Sequence, residues 1–225
     1  MLLLALDTAS RHGSFALARD GSVIEAIAIE APDGFGQIVF QHIDELLQRH
    51  TLALSDIDCY AAASGPGSFT GIRVGLTAVK ALAEVHGKPV AAISNLLALA
   101  SLAEGRYRAP ILDARRGEVF AAVYDERLRP IVDEAAVGWP LFLKSVADQQ
   151  VTFIAQAPGI FEPGAAAERQ AGPNWRYMTA REPLAAAVAR LASARHARGE
   201  AQPPEAADAN YVRRSDAELK WKDPA

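Results

Sequence analysis

Ile57-Asp-Cys-Tyr-Ala-Ala-Ala63 runs into Ser64-Gly-Pro-Gly-Ser-Phe-Thr-Gly71 and then into the apolar stretch Ile72–Val85. The first segment is short and apolar, as a buried strand is. The second is a turn, and the third has the length and period of a helix. His86-Gly-Lys-Pro89 stops that helix, because Gly supplies a C-terminal cap and Pro cannot continue. Val90–Ile93 then reads as another buried strand. Strand, helix and strand in this order require a parallel crossover within one sheet, which places the chain in the α/β class.

Upstream, Leu2–Leu6 is an apolar run closed by the polar corner Asp7-Thr-Ala-Ser10. Ser14–Ala18 and Val23–Ile29 follow, separated by Asp20-Gly21, a hairpin pair that tolerates positive φ at both positions. Three strands joined by tight turns therefore open the chain. After Gly34 and Gly36 a helix begins. Val39, Phe40, Ile43, Leu46 and Leu47 fall in an arc of roughly 120°, with Ile38 outside it. Downstream, Ser94 or Asn95 caps a third helix that ends near Gly105. A second series of strands follows at Ala109–Leu112, Glu118–Tyr124, Ile131–Glu134 and Val151–Ala155, with a short helix at Pro140–Ala147. Residues 156–181 read as loop, Glu182–Arg198 as a helix, and Tyr211–Ala225 as a short tail of mixed charge. No internal repeat is visible.

The chain has 225 residues and is 50% hydrophobic, but 46 of those residues are Ala, so much of its apolar content is small. Net charge is −4. A body that grips nucleic acid by bulk positive charge is excluded, because that needs clustered Lys and Arg. A single Cys59 rules out an intrachain disulfide framework and Cys-rich zinc sites. The opening run has no basic flank and is stopped by Asp7, so it reads as a strand and not a signal peptide. No run reaches the roughly 20 apolar residues of a membrane span. A cytoplasmic protein without membrane contact is the expectation.

The glycine-rich turn Gly65, Gly67, Ser68, Thr70, Gly71 and Arg73 opens a helix and could present backbone N–H groups and a helix dipole to an anion. It is neither a P-loop, since no Lys-Ser/Thr follows Gly71, nor a dinucleotide fingerprint, since Thr70 stands where Gly is needed. The alternative is a sterically tight strand-to-helix turn. Asp7 and Asp113, each at a strand end, could act as paired carboxylates or magnesium ligands. However, the turn after Asp7 lacks the glycine that lets a backbone wrap phosphate, and a structural role suits Asp7 better. None of the five His makes the His-x-x-x-His pair of a helical metal site, so no metal is expected. There is no Gly-x-Ser-x-Gly elbow, and Cys59 sits in an apolar strand as a small hydrophobe.

The helix after the glycine turn is unusually apolar. Arg73, Thr77, Lys80 and Glu84 form one narrow stripe, and apolar residues cover roughly 220° of the rest. A sheet-packed helix needs an arc nearer 100°. Either the helix is sandwiched inside its own chain, or another chain covers its outer side. The second reading is preferred.

Leu4-Ala-Leu-Asp-Thr8, Gly65-Pro-Gly-Ser-Phe-Thr-Gly-Ile-Arg-Val-Gly-Leu76, Leu112-Asp-Ala-Arg-Arg-Gly-Glu-Val-Phe120 and Tyr211-Val-Arg213 resemble, in this order, stretches of the TsaB family, formerly YeaZ. The resemblance implies a reduced actin-like ATPase fold (the ribonuclease H-like ASKHA class) in two lobes, here 1–104 and a smaller 105–225. It implies a role in forming threonylcarbamoyladenosine in tRNA. In that family the protein is not the catalyst. It pairs through its N-terminal lobe with TsaD, the metal-bearing paralogue that transfers the group. The ATPase TsaE joins them, and TsaC supplies the activated intermediate. Alone, such proteins form homodimers through the same surface, and tRNA is touched only indirectly. A nucleotide at the shared interface is compatible with the resemblance, but no cofactor belongs to the chain itself. The family has also been described as a protease, a reading for which this sequence offers no nucleophile–base pair.

Many relatives carry His-Ser-Glu where this chain reads Phe35-Gly-Gln37, which makes a greasier contact the expectation. The partner interface is accordingly assigned to Phe35, Ile38, Ile72, Gly75, Leu76, Val79, Leu82 and Ala83, so that Leu76→Asp or Val79→Asp would abolish pairing. The competing reading is a stand-alone nucleotide-dependent phosphotransferase using Asp7, Asp113 and the Gly65–Gly71 loop.

Overall fold

The computed structural model describes residues 1–147, 149–156 and 174–213. Its layering starts from alternation in β1 (Leu2–Asp7). Leu2, Leu4 and Leu6 enter one core, and Leu3 and Ala5 enter another on the opposite face, as the period-2 geometry of a strand dictates. Both faces are buried, so the run has no polar alternation to show.

β1 is the centre of a five-stranded sheet ordered β3-β2-β1-β4-β5. β2 (His12–Arg19) and β3 (Ser22–Glu30) are antiparallel, while β4 (Cys59–Ala63) and β5 (Val90–Ile93) are parallel to their neighbours. The outer face carries α1 (Val39–Arg49) and α2 (Phe69–His86), which pack side by side. α2 is capped at its start by Ser68 Oγ accepting from Gly71 N–H and at its end by Gly87 at φ 62°. The Gly87 position is one where only a residue without Cβ is unstrained.

β6 (Tyr107–Asp113) centres the second sheet, ordered β10-β9-β6-β7-β8, with β7 (Glu118–Asp125) and β8 (Pro130–Gly138) antiparallel and β9 (Val151–Ala155) and β10 (Arg176–Thr179) parallel. Read outward from the central strand, the two sheets have one and the same topology. α4 (Trp139–Ser145) covers the outer face of the second sheet through Phe142 and Leu143. α3 (Asn95–Ala100) and α5 (Leu184–Ala197) fill the space between the sheets.

The Ala richness has its explanation here. Ala5, Ala16, Ala18, Ala61, Ala63 and Ala91 on the inner face meet Ala185, Ala187, Ala189 and Ala192 of α5. Small residues on both surfaces let helix and sheet approach closely, and dispersion contacts grow with that proximity. Ser14 Oγ accepts from Ala185 N–H at 2.9 Å. The cap of α5 is therefore supplied from a strand 171 residues away, since Pro183 at its own N-cap position has no side-chain donor or acceptor.

Three expectations need correction. The division at 104/105 separates the two sheets, but α5 returns to pack on β1, β2 and β4 of the first; an all-round apolar helix has to be enclosed, and only the space between the sheets encloses it. The segment 156–181 contains β10, whose Arg-Tyr-Met-Thr sequence at a half-exposed edge carries no apolar signal; residues 157–173 of it, like the tail from 214, lie outside the described residues. Phe40, placed in the core arc of α1, is 53% exposed. No helix among the described residues is long and apolar enough to cross a membrane.

Candidate functional site

The glycine turn is built against the corner that follows β1. A Cβ on Gly67 would stand 2.7 Å from the Ala9 carbonyl oxygen, and one on Gly65 would stand 2.7 Å from that of Asn210. On Gly71 it would overlap the Thr8 carbonyl oxygen, and on Gly75 the Thr8 hydroxyl. Thr8 Oγ1 donates to Gly71 O at 2.8 Å, and Ser68 N–H donates to Ala9 O at 2.7 Å. The four glycines thus let the start of α2 press onto the β1–β2 turn. The inner side of the turn is filled by the chain's own backbone, and Ser68 N–H is engaged there. This geometry is that of a tight strand-to-helix turn at the four glycines.

Arg73 does not point at an anion site either. Its guanidinium lies 3.8 Å from the centroid of the Phe69 ring and donates through Nε to Tyr211 Oη at 2.9 Å, while Phe69 and Tyr211 stack at 5.2 Å. Tyr211 belongs to a strap, residues 204–213, that follows α5. Lys80 Nζ donates to Ala207 O at 2.9 Å. Asn210 N–H donates to Ser64 O at 2.7 Å. Arg213 donates to Ala114 O at 2.8 Å and pairs with the Glu118 carboxylate. The strap therefore runs from α2 across the glycine turn to the β6–β7 turn of the other sheet. Three of the four sequence stretches singled out above meet along it, and the fourth, Leu4–Thr8, joins them through the bond from Thr8 to Gly71.

Beneath the strap a polar network joins the lobes. The Glu134 carboxylate accepts from Asn210 Nδ2 at 2.5 Å, from Tyr124 Oη at 2.6 Å and from Ser94 Oγ. Asn95 Oδ1 accepts from Gly65 N–H at 2.7 Å, and Asn95 Nδ2 donates to Asp7 Oδ1 at 3.3 Å. Asp7 is 2% exposed. Burial pushes its carboxyl up to about 6, against the opposing hydrogen bonds from Ala9 N–H, Gln156 and Asn95. Burial and the neighbouring Glu134 charge push the Tyr124 phenol up. Sequence reading singled out Asp7 but missed Tyr124, Glu134, Gln156 and Asn210 as members of this network. Each lies in an ordinary strand or coil context, and only the folded chain brings them together.

Asp113 is exposed, and its Oδ1 accepts from Arg115 N–H at 2.7 Å within its own turn. Asp7 and Asp113 therefore have different environments and separate partners. Among the described residues no three His, Cys, Asp or Glu side chains gather to hold a metal. Cys59 is buried, and desolvation first, then the Asp58 charge, push its thiol up to about 12, so it supplies no nucleophile near neutral pH.

The interface assignment needs revision. Phe35, Ile72, Leu76, Val79 and Ala83 are 5% exposed or less and pack in the chain's own outer core. Gly75 is buried against Thr8. The Phe35 ring tilts against Phe15 at 6.1 Å, in the room left open by Gly13. Ile38 and Leu82 are only half-buried. The outward apolar side chains are Phe40 near the start of α1 at 53% exposure and Val85 near the end of α2 at 78%, with the partly or fully exposed Ile38, Val74, Ala81 and Leu82 along the two helices. Much of the 220° arc is thus spent on the chain's own core, and of the assigned residues only Ile38 and Leu82 reach the outer surface.

Two sheets of equal topology with helices packed between them define the class of the actin-like fold. An ADPNP-bound activator of 2-hydroxyisocaproyl-CoA dehydratase from Clostridium difficile has this fold, with a TM-score of 0.57 at 11% identity over 90% of this chain and 98% of its own. The family model described as tRNA N6-adenosine threonylcarbamoyltransferase, TsaD, matches residues 30–152. The tRNA threonylcarbamoyladenosine biosynthesis protein TsaB of Bacillus subtilis is 28% identical over 98% of both chains, and that of Escherichia coli is 34% identical over 55% of each. A Pseudomonas aeruginosa structure, described as similar to the peptidase YEAZ, superposes with a TM-score of 0.77 at 27% identity, covering 94% of this chain and 99% of its own. The chain belongs to the TsaB/YeaZ family of tRNA threonylcarbamoyladenosine biosynthesis proteins, within the wider group that the transferase model describes.

Proposed function

We propose that this chain is a non-catalytic subunit of the threonylcarbamoyladenosine-forming machinery, and that it activates a TsaD-type transferase by pairing with it through α1 and α2. The observation that carries this reading is the outward apolar face around Phe40 and Val85. Large apolar side chains at such exposure on two adjacent helices are costly in water and gain about 25 cal/mol per Å² when covered. A stable pair needs about 800 Å² per partner. A TsaD-type protein, related in sequence to this chain, would bring a sheet-backed surface of the same kind. Self-association through the same face serves when the partner is absent, and TsaE is a further partner of the pair. The setting is cytoplasmic.

The candidate catalytic groups among the described residues have other engagements. Asp7 is buried and engaged, Asp113 is tied into its own turn, and Cys59 is desolvated. The chain brings no cofactor of its own. A nucleotide shared with a partner would meet the outer edge at Ser68–Thr70, not the glycines, which face inward.

The test is co-purification with a TsaD homologue, followed by a modification assay with and without this subunit. Val85→Asp combined with Phe40→Asp keeps the fold and abolishes both pairing and stimulation. Pairing that survives this double variant removes the assigned face. Magnesium-dependent ATP turnover by the isolated chain, lost in Asp7→Asn, overturns the non-catalytic reading in favour of a phosphotransferase.

A further inference from the structure

A pocket of about 80 Å³ lies at the opposite end of β6 from Asp113, lined by Gly105, Arg106, Gln150, Thr152, Asn174 and Arg176. Its place follows from the topology. β6, β9 and β10 are parallel, with Tyr107 opposite Val151 and Arg176 opposite Thr152. The residues that lead into the three strands therefore stand in a row at one end of the sheet. Gly105 closes this row. It takes φ +123°, and a Cβ there would stand 2.8 Å from Thr152 Oγ1, so only glycine lets the entry to β6 settle against Thr152.

Among the described residues the lining comprises Arg106 and Arg176, Gln150 and Asn174, Thr152 and Gly105, with no acidic residue. Among the described residues neither Arg106 nor Arg176 is paired with an acid. The nearby Asp125 is engaged with Arg129 at 2.7 Å, and Glu104 is exposed outside the lining. The Arg106 guanidinium lies 5.3 Å from the Tyr107 ring centroid, which restricts where it points. Such a cluster in a chain of net charge −4 is a local feature and not a consequence of bulk charge.

Two cations exclude a metal ion as occupant. Guanidinium forks beside hydroxyl and amide donors match the several oxygens of a tetrahedral oxyanion. The volume decides how much of a ligand enters. Pockets for whole small molecules run from about 300 Å³, so this one takes a single charged group and no base or sugar. We propose that it binds one phosphate group, contributed by the sugar–phosphate backbone of RNA. The RNA source rests on the proposed function, and it departs from the expectation that tRNA is touched only indirectly. The phosphate chemistry rests on the pocket alone.

The experiment follows the arginine side-chain Nε–H resonances of the full-length chain by NMR, during titration with unmodified tRNA and, separately, with inorganic phosphate. The expected result is that the Arg106 and Arg176 signals move with tRNA. In addition, Arg106→Gln/Arg176→Gln weakens tRNA binding about tenfold and lowers the slope of log K against log salt by about 1. Gly105→Ala, with net charge unchanged and folding checked by circular dichroism, weakens binding similarly, which separates a shaped site from general attraction. Movement with inorganic phosphate but not with tRNA supports the pocket and overturns the RNA source. No movement with either ligand overturns the proposal. Because the pocket lies away from α1 and α2, loss of pairing with the transferase alongside retained shifts would count against the functional reading only.

Discussion

The two sheets repeat one topology, yet the turns that leave their central strands are treated in opposite ways. After β1, the corner Thr8–Ser10 is pinned by four glycines and the start of α2, and Asp7 is sealed from water. After β6, the corresponding turn Ala114–Gly117 lacks that pinning by glycines, and Arg213 donates to its Ala114 O at 2.8 Å. Asp113 there is exposed, Arg115 and Arg116 take φ of 63° and 58°, and a Cβ on Gly117 would meet nothing within 4 Å. The same strand order can thus end one central strand in a buried aspartate and the other in an exposed one. The side with the buried aspartate is also the side whose helices expose apolar surface.

The largest effect that tests this comparison separates the two sides of α2. Val79→Asp buries an unpaired carboxylate and costs about 4 kcal/mol or more, so the chain unfolds in a denaturant titration. Val85→Asp on the outer side changes stability by no more than about 0.5 kcal/mol. Equal stability losses at the two positions would erase the distinction.

Next comes the contrast between the two aspartates. A carboxyl at about 6 when folded, against its ordinary 3.8, makes folding weaker by about 3 kcal/mol at pH 7. The sign follows from the proton. The native state holds it more tightly, so this contribution is most favourable below pH 3.8 and is lost as pH rises through 6. Asp7→Asn therefore flattens the stability profile between pH 4 and 6 in thermal melts, whereas Asp113→Asn leaves that slope in place.

The glycines give a smaller effect. Gly71→Ala drives a methyl into the Thr8 carbonyl and costs about 2–3 kcal/mol, as overpacking does. Gly117→Ala meets only the left-handed backbone penalty of about 1 kcal/mol. Both are read from denaturation midpoints. Smallest is Ser14→Ala, which removes the remote cap of α5 and costs about 1 kcal/mol. Because α5 packs on the first sheet, hydrogen exchange quickens at its first turn before it does in α4.

Most elements were legible because their signals are local. Leu2–Leu6, Val90–Ile93 and Val151–Ala155 are apolar runs that no other element could use, and Ser94 and Gly87 cap the helices they border. β10 was not legible, since four half-exposed residues carry no period. The duplicated topology was invisible as well. The repeat is one of strand order and pairing, while the side chains serve different cores: Leu on the outer face of β1, for example, but Ala109 and Ile111 in β6. The glycine turn was located from sequence, but two readings stayed open until Thr8, Ala9 and Asn210 were found filling the space around it.

Periodicity, capping and turn chemistry depend on neighbours a few residues apart, so the chain itself determined the α/β class, the order of its elements, the absence of a helical metal pair and the family resemblance. Which side of α2 faces water depends on β1 and β4 beneath it and on a strap more than a hundred residues later. That, with the sealing of Asp7 and the placing of Arg106 and Arg176 on one pocket, was decided only by tertiary packing, because surroundings are set by the surfaces that meet and not by a residue's place in the chain.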